Sequence, residues 1–334
     1  MAHELRVFSA KDYENPSLTA AAVASGVDIV EFDVRLGVDT ADLAADAEAI
    51  SVFVNDDVSR PVVEKLADHG VKCIALRCAG FNNVDLEAAA DHGITVVRVP
   101  AYSPNAVAEH TLALILSLNR RIHRAYSRVR DGNFSLEGLV GFDLAGKTAG
   151  VIGTGKIGMI VARLLWHLRC DVLAYDPYQD DHLVSLGVQY TSIDRVLAES
   201  QIVSLNCPLT EETHHLINDE SIARMRDGVM LVNTGRGALI DTAAVVEGLK
   251  SGHIGSLALD VYEEEANLFF EDRSAEIIDD DVFARLLTFP NVLITAHQAF
   301  LTDEALASIA ETTVGNVIAV LDGGECPNEV KASA

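Results

Sequence analysis

Residues 148–158 read T-A-G-V-I-G-T-G-K-I-G. A short apolar run leads into Gly153, Gly155 and Gly158, spaced G-x-G-x-x-G, and a helical stretch over 157–168 follows at once. A second strand, 171–175, then ends at Asp176, eighteen residues past Gly158. Strand, glycine turn, helix, strand and acid at these offsets predict a βαβ unit that binds a dinucleotide. Gly153 permits the tight turn, Gly155 lets the backbone approach a pyrophosphate, and Gly158 lets helix and strand pack closely. Lys156 and Ile157 open the helix, whose N-terminal N–H groups face the phosphates. The Asp176 carboxylate accepts ribose hydroxyls and repels a 2′-phosphate, so the expected cofactor is NAD rather than NADP.

The same alternation runs through the chain. Before the glycine turn, strands are predicted at 5–9, 27–32, 50–54, 72–76 and 94–99, with helical stretches such as 61–70 and 83–93 between them. After it, strands are predicted at 171–175, 202–205, 229–233, 256–260 and 292–295. Pro100 and Pro104 mark a boundary, one long helix is expected over 105–130, and a last helix over 302–321. Strands alternating with helices mean parallel sheets, so the fold class is α/β, with two doubly wound sheets in 334 residues.

Fifty acids against 25 bases leave a formal charge of −25. A surface this acidic excludes nucleic acid as a partner and disfavours anionic membranes. Five scattered cysteines, with no C-x-x-C, fit a reducing compartment and give no metal pattern. The N-terminus lacks a basic and then apolar leader, and the longest apolar run, 112–116, is too short to span a bilayer. A cytoplasmic protein without a bound metal is expected.

Three segments of the second series each place a chemically active residue just past a strand: Arg236 in NTGRGALID, Glu265 in LDVYEEE and His297 in TAHQAF. In open α/β sheets, ligands bind outside the carboxyl ends of the strands, so these segments converge on one edge. A guanidinium grips a carboxylate with two parallel hydrogen bonds. An imidazole exchanges a proton with a carbonyl or hydroxyl oxygen, and a neighbouring carboxylate orients it and favours its charged form. Together these residue types suit hydride transfer between a dinucleotide and a small 2-keto or 2-hydroxy acid.

At this point the chain resembles the NAD-dependent D-isomer-specific 2-hydroxyacid dehydrogenases, closest to their D-lactate dehydrogenase branch. The resemblance covers nearly all of it, through FVNDDVSRPV (53–62), LRCAGFNNVD (76–85), RVPAYSPNAVAEH (98–110), GVIGTGKIG (150–158), NCPLT (206–210), NTGRGALID (233–241), LDVYEEE (259–265) and TAHQAFLTDEA (295–305). It implies a discontinuous flavodoxin-like catalytic domain, 1–101 and 300–334, around a Rossmann domain, 102–299. It implies that Arg236 binds the substrate carboxylate, that His297 is the acid–base group and that Glu265 is its partner. Among the consecutive Glu263, Glu264 and Glu265, only the five-residue offset from Asp260 selects the last. Asp260, Cys207, Pro208, Thr213, Thr234 and Gly235 join the glycine turn in lining the NAD site. Ala79 and Gly80 offer backbone N–H groups to the carboxylate, and Tyr102 and Phe300 shape a small side-chain pocket. D-stereochemistry rests on the resemblance alone.

Pyruvate reduction by NADH is therefore the leading expectation, in a homodimer or homotetramer. The alternatives are a larger 2-keto acid and a non-catalytic NAD-sensing protein. Cys207 reads as a lining residue rather than a nucleophile, and His110, His123, His214 and His215 are assigned no role.

Overall fold

The computed structural model describes residues 3–265 and 268–332. The chain divides into two compact units, residues 1–103 with 301–334, and residues 104–300. Pro104 opens one helix and Thr302 caps another, so each crossing falls beside a helix start. Tyr102 accordingly lies in the first unit and Phe300 in the second.

The first unit holds β1 (His3–Val7), β2 (Val27–Glu31), β3 (Ala49–Val52), β4 (Cys73–Leu76) and β5 (Thr95–Arg98). All pair in parallel, in the order β2-β1-β3-β4-β5. Along β4 the side chains alternate between two cores. Ile74 and Leu76 join Phe8, Ile50 and Leu66 on one face, while Cys73 and Ala75 join Leu18, Val314 and Val317 on the other. Burial on both faces is what a parallel sheet requires. The small residues on the second face leave room for the helices Asn15–Ser25 and Asp303–Leu321. The latter has the length and composition of a membrane span, yet its apolar side closes this core.

The second unit holds β6 (Thr148–Ile152), β7 (Asp171–Tyr175), β8 (Gln189–Tyr190), β9 (Ile202–Leu205), β10 (Val229–Asn233), β11 (Ile254–Leu259) and β12 (Val292–Ile294). They form one parallel sheet ordered β12-β11-β10-β9-β6-β7-β8. The order reverses between β6 and β9, which is the switch point where such sheets open a ligand crevice.

The helix expected over 105–130 is two helices, Pro104–Asn119 and Ile122–Arg130. Arg121 adopts φ +53 between them, and the Asn119 side chain turns aside to hold the N–H and C=O of Phe142. The two-residue strand β8 carries too little pattern to be read in advance.

Candidate active site

One register row crosses the second sheet. Tyr175 pairs with Ile152, Ile152 with Leu205, Leu205 with Asn233, Asn233 with Leu259, and Leu259 with Ile294. The chain leaves the sheet just past this row at Asp176, Gly153, Asn206, Thr234, Asp260 and Thr295. At about 4.8 Å per strand the row spans roughly 24 Å, so a ligand lying along it must be elongated.

At one end lies the glycine turn. Gly153 has φ +88, and a side chain there would run into the Cys207 backbone. A Cβ on Gly158 would collide with the Gly153 carbonyl, whereas Gly155 faces open space. The helix Lys156–His167 starts at Gly155 with no side-chain cap, leaving its first N–H groups to a ligand. Asp176 is half-buried, and its carboxylate accepts the Thr154 N–H at 2.6 Å and the Tyr178 N–H at 2.9 Å. These residues fit a dinucleotide: an open, donor-rich turn with a fixed acid beside it. Burial pushes the Cys207 thiol up to about 11, which makes it a poor nucleophile. The Thr213 hydroxyl donates to the Pro208 carbonyl at 2.7 Å and accepts the Thr210 N–H at 2.7 Å, shaping that turn.

At the other end lie the three expected chemical groups. His297 Nδ1 is 2.9 Å from Glu265 Oε1. An ionised carboxylate only accepts, so Nδ1 carries the proton of the neutral ring and Nε2 remains the exchanging nitrogen. The second Glu265 oxygen accepts the Tyr262 N–H at 3.0 Å. Glu263 is committed elsewhere, to His215 Nε2 at 2.6 Å and the Thr242 hydroxyl at 3.0 Å. Arg236 is exposed, its Nη1 resting on the adjacent Gly235 carbonyl at 2.8 Å. Its turn is braced by Asn233, which donates to the Arg236 carbonyl and accepts the Gly235 N–H. Thr234 ties the turn to Thr111 through a 2.8 Å hydroxyl contact.

Asp260 is 1 % exposed. Its carboxylate accepts the Thr295 hydroxyl at 2.6 Å and the N–H groups of Gln298 and Ala299 at 2.9 and 3.0 Å. Burial pushes its carboxyl up, but hydrogen bonds from His110, Thr295 and Ala299, with the His110 charge, outweigh that and hold it below the usual carboxylate range. In the first unit, the Arg98 guanidinium holds the Ala79 carbonyl at 2.7 Å, and the Gly80 carbonyl accepts the Cys78 thiol. Tyr102 and Phe300 are each half-buried.

Residues 112–299 match the family model for the NAD-binding domain of D-isomer-specific 2-hydroxyacid dehydrogenases. The D-lactate dehydrogenase of Escherichia coli is 54% identical over 327 residues, 98% of this chain and 99% of that one. The chain belongs to the D-isomer-specific 2-hydroxyacid dehydrogenase family. Solved structures agree. The apo D-lactate dehydrogenase of E. coli superposes with a TM-score of 0.91 at 52% identity, covering 98% of this chain and 99% of that one. The pyruvate reductase of Chlamydomonas reinhardtii gives 0.94 at 46% identity, covering 98% of each. The enzyme is thus an NAD-dependent 2-hydroxyacid oxidoreductase, and the glycine turn with Asp176 lies within its NAD-binding domain.

Two residues of this dehydrogenase escaped sequence reading. His110 Nε2 lies 3.1 Å from Thr295 Oγ1 and 3.4 Å from Asp260 Oδ1. The available signal was a polar pair, His110–Thr111, interrupting the apolar face of the helix Pro104–Asn119. Their targets, Thr295 and Thr234, lie more than a hundred residues away, beyond the reach of periodicity.

Proposed function

We propose that this chain is a cytoplasmic D-lactate dehydrogenase that reduces pyruvate reversibly with NADH. The observation that carries the chemistry is the 2.9 Å contact between His297 Nδ1 and Glu265 Oε1, on the sheet edge that also presents Arg236. The E. coli and Chlamydomonas relatives, a D-lactate dehydrogenase and a pyruvate reductase, support the substrate. Bound NADH supplies a hydride for the keto carbon. Arg236 is free to turn its planar fork onto the substrate carboxylate. His297 Nε2–H delivers the proton to the keto oxygen, and Glu265 stabilises the imidazolium before transfer. In the oxidative direction neutral His297 takes the proton back. Asp260, Thr234, Gly235, Cys207, Pro208 and Thr213 are assigned to the NAD site. Ala79 and Gly80 are assigned to the carboxylate, and Tyr102 and Phe300 to the limit on side-chain size. A panel of 2-keto acids with NADH, with chiral analysis of the product, tests this reading. Turnover of pyruvate to D-lactate is expected, and a preference for branched keto acids would replace pyruvate as the substrate.

We also propose that the enzyme is a homodimer or homotetramer. Ile122, Tyr126 and Val129 fall at i, i+4 and i+7 on the helix Ile122–Arg130, which buries none of its residues. With Phe134, Leu136 and Val140 they form a run of side chains each more than half exposed. A cluster of this kind marks an interaction surface. Arg124, Arg128 and Arg130 beside it oppose the acidic surface of a second copy with net charge −25.

A further inference from the structure

His297 has φ +54, the left-handed region, which strains a residue with a Cβ. Hydrogen bonds to Asp260 hold it there. The His297 N–H donates to the Asp260 carbonyl at 2.7 Å. The Asp260 carboxylate then collects the next two N–H groups, those of Gln298 and Ala299, together with the Thr295 hydroxyl. The turn is therefore wrapped around one buried acid, and His297 sits at its bend.

That acid is itself steered by His110. The Thr295 proton is spent on Asp260, so the Thr295 oxygen can only accept from His110 Nε2–H. The same N–H points at Asp260 Oδ1 from 3.4 Å. His110 rides on the helix Pro104–Asn119, whose neighbouring Thr111 is bonded to Thr234. One helix position thus ties down the turn after β12, and the next ties down the turn after β10.

We propose that His110 is a positioning residue for the acid–base step. Through Thr295 and Asp260 it keeps the 295–299 turn in the shape that seats His297 Nδ1 on Glu265 and leaves Nε2 for the substrate. This rests on His297 as the acid–base group. A displacement of the order of 1 Å at such a group costs about 10²-fold in rate.

The test uses the full-length enzyme and the variants His110→Leu, His110→Gln and Thr295→Val. Gln can place an amide N–H where Nε2 stood, and Leu cannot. His110→Leu and Thr295→Val are expected to lower kcat about 10–100-fold, with the NADH dissociation constant and the urea midpoint close to wild type. His110→Gln should recover most of the loss. The double variant His110→Leu/Thr295→Val should be no worse than the poorer single one, because both break one link. A second readout needs no substrate. In histidine-selective ¹⁵N NMR, with His297 identified by His297→Gln, the ring should hold its proton on Nδ1 in wild type and His110→Gln. In His110→Leu and Thr295→Val it should become a mixture of tautomers. Unmoved His297 signals in both variants overturn the proposal. So does a kcat loss that only tracks the fraction unfolded, or additive losses in the double variant. Should His110→Leu fail to fold, Thr295→Val carries the same readouts. Should wild type fail to reduce pyruvate, the substrate reading falls while the tautomer measurement still decides on His110.

Discussion

Glu263 and Glu265, two residues apart on one turn, hold different histidines: His215 Nε2 stands 2.6 Å from Glu263, and His297 Nδ1 stands 2.9 Å from Glu265. The tyrosine before them fixes the sorting, since the Tyr262 N–H grips Glu265 and the Tyr262 hydroxyl donates to Asp280 at 2.6 Å.

The two glutamates should therefore differ in their effect on the rate. Glu265→Gln replaces the carboxylate that orients His297 Nδ1 and should lower kcat, while Glu263→Gln leaves that contact in place. His297→Gln should lose on the order of 10²–10⁴ in rate. Steady-state pyruvate reduction measures all three. A loss in Glu263→Gln alone would reassign the partner.

Among the described residues, the Arg236 guanidinium hydrogen-bonds only to the adjacent Gly235 carbonyl, so its charge is available to a substrate. Arg236→Lys keeps the charge and loses the planar fork. The expected outcome is a large rise in pyruvate KM and a fall in kcat. NADH affinity by fluorescence titration should stay nearly normal, and a loss of that affinity instead would place Arg236 on the cofactor.

Asp176 orders the glycine turn through Thr154, and its carboxylate is expected to repel a 2′-phosphate. Wild type should strongly prefer NADH to NADPH. Asp176→Ser should narrow the preference and also raise the KM for NADH, because the Thr154 N–H loses a charged acceptor. Comparable use of both cofactors by wild type would contradict this reading of the acid.

Asp260 links pH to stability. Its folded carboxyl titrates below the unfolded value of about 3.9. The stabilisation is therefore complete above that value and disappears as pH falls through the lower, folded one. Asp260→Asn should reduce the unfolding free energy at neutral pH by about 1.5–3 kcal/mol, the net worth of hydrogen bonds to a charged group. It should also flatten the acid limb of stability. Urea unfolding at pH 3, 5 and 7 provides the check.

Substituting the exposed stripe should change assembly before it changes chemistry. Tyr126→Glu with Val140→Asp is expected to shift the enzyme to monomers in analytical ultracentrifugation, without altering secondary structure by circular dichroism. A monomeric wild type would refute the oligomer outright.

Local pattern was enough for the architecture. β7, β9 and β10 have the bounds that alternation and apolar runs predict, because a strand buried on both faces advertises itself residue by residue. The glycine spacing and Asp176 pointed to the dinucleotide for the same reason: close backbone approach is a demand made on individual positions. The break at Arg121 was not legible, since it follows from Asn119 binding the backbone of Phe142, twenty-three residues on. Sequence selected Glu265 among three consecutive glutamates only by its offset from Asp260, and it gave no sign that His110 and Thr295 converge on Asp260. Those choices are made by register. Asn233, Leu259 and Ile294 align only when β10, β11 and β12 pair, and the turns beyond them take their shape from the side chains that this pairing brings within hydrogen-bonding distance.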